Sequence, residues 1–553
     1  MKKSHYSNVT SVIVVAIILH EALTSTYLGY LAINKAVNGP STPFFGPPMP
    51  GVDPSNEIPD RIDIPKFKKN LKNILKESEF PSEVKAYLPQ LSGTRELLLI
   101  LVDFSDVAGT KNDVYFENLM WGSRPSLRDY FLENSYNLYT YVAGKVLDPG
   151  ADDTAPFYYT YPNTLSWAAN YSNVRTVVTW AIQQADADFN FSPYDSDLNG
   201  IVTNEELTIV IVTSGVSGGM GGSAPWSHHW CTISPVITVD GVSVEGEYSI
   251  TSEANPLGSF AHELGHDLGL PDLYDTNGGS EGIGKYGLMG SGSWCGPTHM
   301  TSWSKMQLGW IAPTIVMVDG YYDVYDVEGN AETYILYDPD YSTTEYFLVE
   351  NRWRGTSYDS FIGLDGQLPD EGILIYHIDD VMAQDWWESG SNNVNQDEAH
   401  KTVDVECADS PTSHIADADD LDWELNRGDS YDLWDNTEYN FSDSSTPCNS
   451  TWYVKTPSGM MVGDFPAVGS TMRVYFYVGH PNTDPSVEWI HVYGVPGGML
   501  DPGGTIERGG FVRMHSQVSD PETASQDLLV NVSYRVQGGD WTTKQATYKA
   551  DKD

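Results

Sequence analysis

Two spacings of apolar residues divide the chain. Up to about residue 310, unbroken apolar runs alternate with segments of helical spacing. Glu96 to Asp106 (ELLLILVDFSD) and Leu207 to Gly215 (LTIVIVTSG) carry no polar alternation, the pattern of strands covered on both faces. Ser126 to Asn137 opens with a capping serine and then follows a helical period, and Val174 to Ala187 (VRTVVTWAIQQADA) predicts a second helix. Past Trp310 the runs shorten to TYILY, EYFLVEN, GILIYHID and MRVYFYV, separated by Gly, Pro, Asn and Asp. That punctuation predicts an all-β region after an α/β unit.

The ends of the chain differ from both. Lys2 and Lys3 precede an apolar run from Val9 to Leu19, which His20 and Glu21 interrupt. The run is short for a bilayer span and suits the core of a signal peptide; the second apolar patch, Tyr27 to Ile33, leaves a membrane anchor as the alternative. Asn38 to Pro54 is a Pro- and Gly-rich linker, followed by a basic candidate helix from Ile64 to Ser78. At the other end, VEWIHVYG, FVRMHSQV and LLVNVSYRV read as strands of an immunoglobulin-like sandwich, short for that fold and ending soon after a strand, as a truncated domain would. The expected organisation is a signal peptide or anchor over 1–35, a pro-segment or linker over 36–92, a catalytic unit over 93–312, a β-rich unit over 313–478 and the sandwich-like piece over 479–553.

Charge narrows the partners. The chain has 76 acidic against 30 basic side chains, a formal net charge of −46, which repels nucleic acid and anionic lipid and favours divalent cations. A membrane partner is expected only where the N-terminal segment is retained. The four cysteines, Cys231, Cys295, Cys407 and Cys448, show no thiolate metal spacing. Chain order suggests disulfides Cys231–Cys295 and Cys407–Cys448, although spacing alone leaves the connectivity open.

One segment carries most of the chemistry, Ser259 to Asp275 (SFAHELGHDLGLPDLYD). His262 and His266 stand four apart, so on a helix both imidazoles leave one face and can share a cation. Glu263 follows the first of them, within reach of a fourth position on that cation. Two neutral imidazoles suit zinc, and a third protein ligand would leave one site open for catalysis. Gly269 can end the helix in a left-handed conformation, and Pro271 forbids its continuation, so the chain turns and can carry Asp272 back to the imidazoles. Downstream, KYGLMGSGSW sets Met289 among small residues, the form of the methionine turn beneath a metzincin zinc site. Glu281 is the competing candidate for third ligand.

A second constellation is a calcium loop, DSDLNGIVTNEE, Asp195 to Glu206. Asp195, Asp197 and Asn199 take positions one, three and five, and Gly200 the sharp turn. Ile201 offers its carbonyl, Thr203 stands at position nine and Glu206 can bind bidentately at twelve. His228 and His229 are read as packing or cleft residues, and His377 and His400 as structural. Asp429 and Asp432 are either a second calcium site or solvated turn carboxylates.

With these motifs in place, the chain resembles the immune inhibitor A family of secreted bacterial and archaeal metalloproteases. The resemblance runs over about residues 93–475. It is carried by LLLILVDFSD, SLRDYFLENSY, APWSHHW, HELGHDLGLPDLYD and GLMGSGSW, then by EYFLVENR, GILIYHID and NRGDSYDLW. It implies a metzincin-like catalytic domain, made as a precursor and stabilised by calcium, that hydrolyses protein or peptide substrates with zinc. The pro-segment has no cysteine, so a thiolate cannot hold the precursor silent. The expected function is therefore a secreted zinc endopeptidase, His262, His266 and Asp272 holding the metal and Glu263 acting as general base. The alternative is a calcium-binding surface or adhesion protein with a vestigial peptidase site.

Overall fold

The strand around Leu97 to Val102 is apolar at every position because both of its faces are covered. In the computed structural model, Leu97, Leu99 and Leu101 face one core, with Leu257, Phe260, Ala261 and Leu264. Leu98, Ile100 and Val102 face a second core, with Val174, Val177, Val178, Ala181 and Ile182. Successive side chains of a strand point to opposite faces, so one run of leucines and isoleucines serves two helical layers.

The structure describes residues 90–478 except 148, 150–156, 219–222, 231–232, 295–296, 339–340, 343, 356–367, 410–420, 422–425, 438–439 and 446–449. It also describes the strands between 486 and 545. These residues lie in one compact unit, Pro47–Asp553. The expected leader, most of the pro-segment, and Cys231, Cys295 and Cys448 fall outside the described residues, and with them the proposed disulfides. Cys407 is fully buried.

The first sheet is built on β1 (Gly93–Phe104). Parallel to it run β2 (Tyr139–Leu147), β3 (Tyr159–Tyr161) and β4 (Thr208–Thr213). Parallel to β4 runs β6 (Tyr248–Ser252), and β5 (His228–Trp230) closes the edge antiparallel to β6. Ahead of the two helices expected from spacing, α2 (Leu127–Asn134) and α3 (Tyr171–Ala185), comes α1 (Asp113–Trp121), which the spacing does not mark. Ser126 caps α2 by accepting from the Asp129 N–H. α3 begins three residues before the spacing suggests, because Asn170 accepts from the Ser172 N–H and caps it there. Helix α4 (Leu257–Asp267) crosses the opposite face and carries the two-histidine segment.

The later part is β-rich, as its punctuation predicts. β7 (Glu345–Arg352) and β8 (Gly372–Asp379) pair antiparallel at the centre of a five-stranded sheet and are buried at every residue. A four-stranded antiparallel sheet joins Gly320–Tyr325, Thr471–Tyr477, Met461–Gly463 and Asn440–Ser442. A single apolar cluster runs from Leu264 and Met289 through Trp303 to Phe347 and Ile375, so the β-rich part packs against the ground on which α4 stands. Helix α5 (Gln384–Ser389) follows β8. The expected immunoglobulin-like piece is represented by two separate antiparallel pairs, Ser486–Val495 with Phe511–Ser519 and Asn531–Tyr534 with Thr542–Gln545.

Two histidines of the β-rich part are paired with carboxylates. His377 lies 3.0 Å from Glu345 and 3.4 Å from Glu406, and its ring stacks on Tyr453. Burial alone would lower its pKa, but the hydrogen bonds it donates to Glu345 and Glu406 outweigh this and carry it to about 9. His400 meets Asp379 at 2.9 Å. Both histidines sit within this packing.

Candidate metal centre

Helix α4 puts its apolar residues Leu257, Phe260, Ala261 and Leu264 toward the sheet, at steps of three and four. At 3.6 residues per turn, His262 and His266 then leave roughly the opposite side. The last turn is pinned through the next residue. Asp267 accepts from Arg95 at 2.7 Å, Tyr141 at 2.6 Å and Thr208 at 3.2 Å, tying the helix end to β1, β2 and β4.

The helix stops as its glycine dictates. Gly269 has φ +89, the Gly269 N–H donates to the His266 carbonyl, and the Leu270 N–H donates to the Gly265 carbonyl. This pair of bonds is the Schellman closure, which strains any residue with a Cβ at the left-handed position. The turn brings the Leu270 carbonyl within 2.7 Å of His266 Nδ1, while the Leu288 carbonyl stands 3.0 Å from His262 Nδ1. A carbonyl only accepts, so both Nδ1 atoms carry the hydrogen and both Nε2 atoms keep a lone pair for a cation.

Asp272 meets those lone pairs. Its Oδ1 is 2.9 Å from His262 Nε2 and 3.2 Å from His266 Nε2. All three side chains are buried, and Asp272 Oδ1 is a buried atom with no hydrogen-bond partner. With hydrogen on both Nδ1 atoms, three electron-pair donors face one another, an arrangement that fits a cation. Burial pushes the Asp272 carboxyl up; protonation of His266 and His262 would outweigh it and hold the group below the ordinary carboxylate range. Glu263 is buried beside them. Burial raises its pKa to about 8, with His262 pulling it down and Asp272 pushing it up.

Met289 lies beneath the helix. A Cβ on Gly265 would come within 2.7 Å of Met289 Sδ, so the glycine admits the sulfur. The Met289 carbonyl accepts from the Leu273 N–H at 2.8 Å, joining this turn to the Asp272 loop. Glu281 is directed elsewhere, held by Arg427 at 3.0 Å. His228 bonds to the Trp226 carbonyl and the Tyr248 hydroxyl, and its low-polarity surroundings lower its pKa to about 4. His229 contacts Ser249, with its ring 6.3 Å from that of His266.

Two groups of residues escape the sequence. Tyr274 stacks on His262 and lies against the Asp272 carboxylate; burial first, then Asp272, keeps its hydroxyl protonated. It stands two residues past Asp272, so the motif contains it without marking it. Asn392 contacts Asp272 from 120 residues away, where no local pattern gives a signal.

The segment expected to bind calcium, Asp195 to Glu206, gathers three of its carboxylates. Asp195, Asp197 and Glu206 bring ligand oxygens within 4.8 Å of one another. The Asn199 and Gly200 N–H groups donate to Asp195, and Glu206 accepts from Ser196 and Thr203. A third group joins Asp429 and Asp432 to Asp409.

Residues 112–312 match the family model described as immune inhibitor A peptidase M6, catalytic domain. Immune inhibitor A of Bacillus thuringiensis subsp. alesti is 26% identical over 297 residues, 42% of this chain and 42% of that protein. The pre-pro-metalloprotease PrtV of Vibrio cholerae serotype O1 is 26% identical over 276 residues, 39% of this chain and 30% of that protein. The matches thus span less than half the length of either relative. Among solved structures, wild type OgpA from Akkermansia muciniphila aligns with 55% of this chain and 93% of its own, at 12% identity and a TM-score of 0.24. That similarity is too low to bear on the fold.

Proposed function

We propose that this chain, in which a segment of peptidase M6 type contains a two-imidazole, one-carboxylate centre, is a secreted zinc-dependent endopeptidase. The observation that carries the reading is Asp272 Oδ1, buried without a hydrogen bond and facing the Nε2 atoms of His262 and His266. Those three residues would hold the zinc. When bound there, zinc supplies Lewis acidity, acidifying water and polarising the scissile carbonyl.

The remaining chemistry belongs to the chain. Glu263 accepts the proton of the attacking water and returns it to the departing amine. Burial raises the proton affinity of this carboxyl, which favours uptake of the proton once the group is ionised. The Leu270 and Leu288 carbonyls keep both imidazoles in the tautomer that leaves Nε2 free. Burial of all four side chains excludes bulk water and strengthens every charge interaction at the reacting bond.

Casein hydrolysis tests the proposal. A zinc chelator should abolish it and added zinc should restore it. Calcium binding without any hydrolysis would favour a surface protein with a vestigial site instead.

Calcium enters as a structural ion in the same reading. Asp195, Asp197, Asn199, the Ile201 carbonyl, Thr203 and Glu206 would hold it. Because a cation bound only by the folded state stabilises it, by about 2.7 kcal/mol at a hundredfold excess over Kd, removal of calcium should lower the thermal midpoint. In Glu206→Ala the midpoint should no longer respond to calcium. A response equal to that of the unaltered protein would exclude this loop as the site.

A further inference from the structure

The loop that carries Asp272 is held from outside the segment matched by the peptidase family. Trp386 Nε1, on α5, donates to the Gly269 carbonyl at 2.9 Å. Asn395 Nδ2 donates to the Leu273 carbonyl at 2.8 Å. Between them, Asn392 grips Asp272 itself. Its Oδ1 accepts from the Asp272 N–H at 2.9 Å, and its Nδ2 donates to Asp272 Oδ2 at 2.5 Å. The two oxygens of one carboxylate are therefore divided. Oδ2 is occupied by the amide of Asn392, and Oδ1 alone faces the two imidazoles.

We infer that Asn392 is the positioning residue for the third metal ligand, and that it makes Asp272 a ligand through one oxygen. This rests on the reading of the centre as a zinc site. The physical argument is one of orientation. An aspartate on a loop can rotate about two side-chain torsions, and ordering them costs free energy each time a metal binds. A bond to the backbone N–H and another to the far carboxylate oxygen fix both the loop and the rotamer before the metal arrives. Outer partners of this kind are typically worth ten- to a hundredfold in metal affinity. The β-rich part would on this view be required for the metal centre, although it contributes no ligand.

The test is zinc affinity of the full chain, measured by competition with a chromophoric chelator. Asn392→Ala should weaken zinc binding about ten- to a hundredfold. Asn392→Asp keeps the size of the side chain but replaces the donor with a like charge, so it should weaken binding at least as much. Added to Asp272→Ala, the Asn392→Ala change should cost nothing further, since its effect passes through the carboxylate that is already gone. Unaltered affinity in both Asn392 variants would overturn the inference. So would an equal fold-loss in the background lacking Asp272. If the unsubstituted chain holds no zinc that His262→Ala removes, the zinc reading itself fails; if it does and Asn392 has no influence, only the positioning role fails.

Discussion

Glu263→Gln is expected to retain zinc and lose peptide hydrolysis, with kcat falling by about 10²–10⁴. The substitution preserves shape and removes the group that accepts and returns a proton. Glu263 is buried against His262 and near Asp272, so nothing else in its surroundings need change. Since the metal ligands remain, zinc content separates this result from collapse of the site. A glutamine variant that turns over fluorogenic peptide at the normal rate would remove Glu263 from the mechanism.

Asp272→Ala should act on binding instead. Two imidazoles remain, but the sole anionic donor of the set is gone, and zinc affinity should fall by more than about a hundredfold, beyond what loss of an outer partner costs. Activity at limiting zinc should vanish with it. Glu281→Ala is the informative companion. Glu281 is engaged by Arg427 and accepts from Ser291, so its removal should leave metal content and hydrolysis near those of the unaltered protein. The reverse pattern, with Asp272→Ala active and Glu281→Ala empty, would reassign the third ligand.

How much of this could be read from residues alone depends on how local the physics is. The buried strands at Leu97–Val102 and Thr208–Thr213 are legible because a strand covered on both faces must be apolar throughout. The turn at Gly269 is legible for a similar reason: a left-handed position, a following proline and a carboxylate three residues on leave the chain few ways to go. Helix α1 is harder, because its buried contacts reduce to Phe116 and Met120 within nine residues. Asn392 and Trp386 could not be found this way. They reach the centre through the packing of the β-rich part, and that packing follows from residues scattered over both parts of the core. The tautomers of His262 and His266 depend on the Leu288 and Leu270 carbonyls, which any residue at those positions would provide.

Loading the protein with zinc and recording anomalous diffraction at the zinc edge reports the arrangement directly. The density should form one peak per chain, bonded to Nε2 of His262, Nε2 of His266 and Oδ1 of Asp272, with Oδ2 still on the Asn392 amide. A fully occupied peak elsewhere, with Asp272 turned away from the imidazoles, would contradict it.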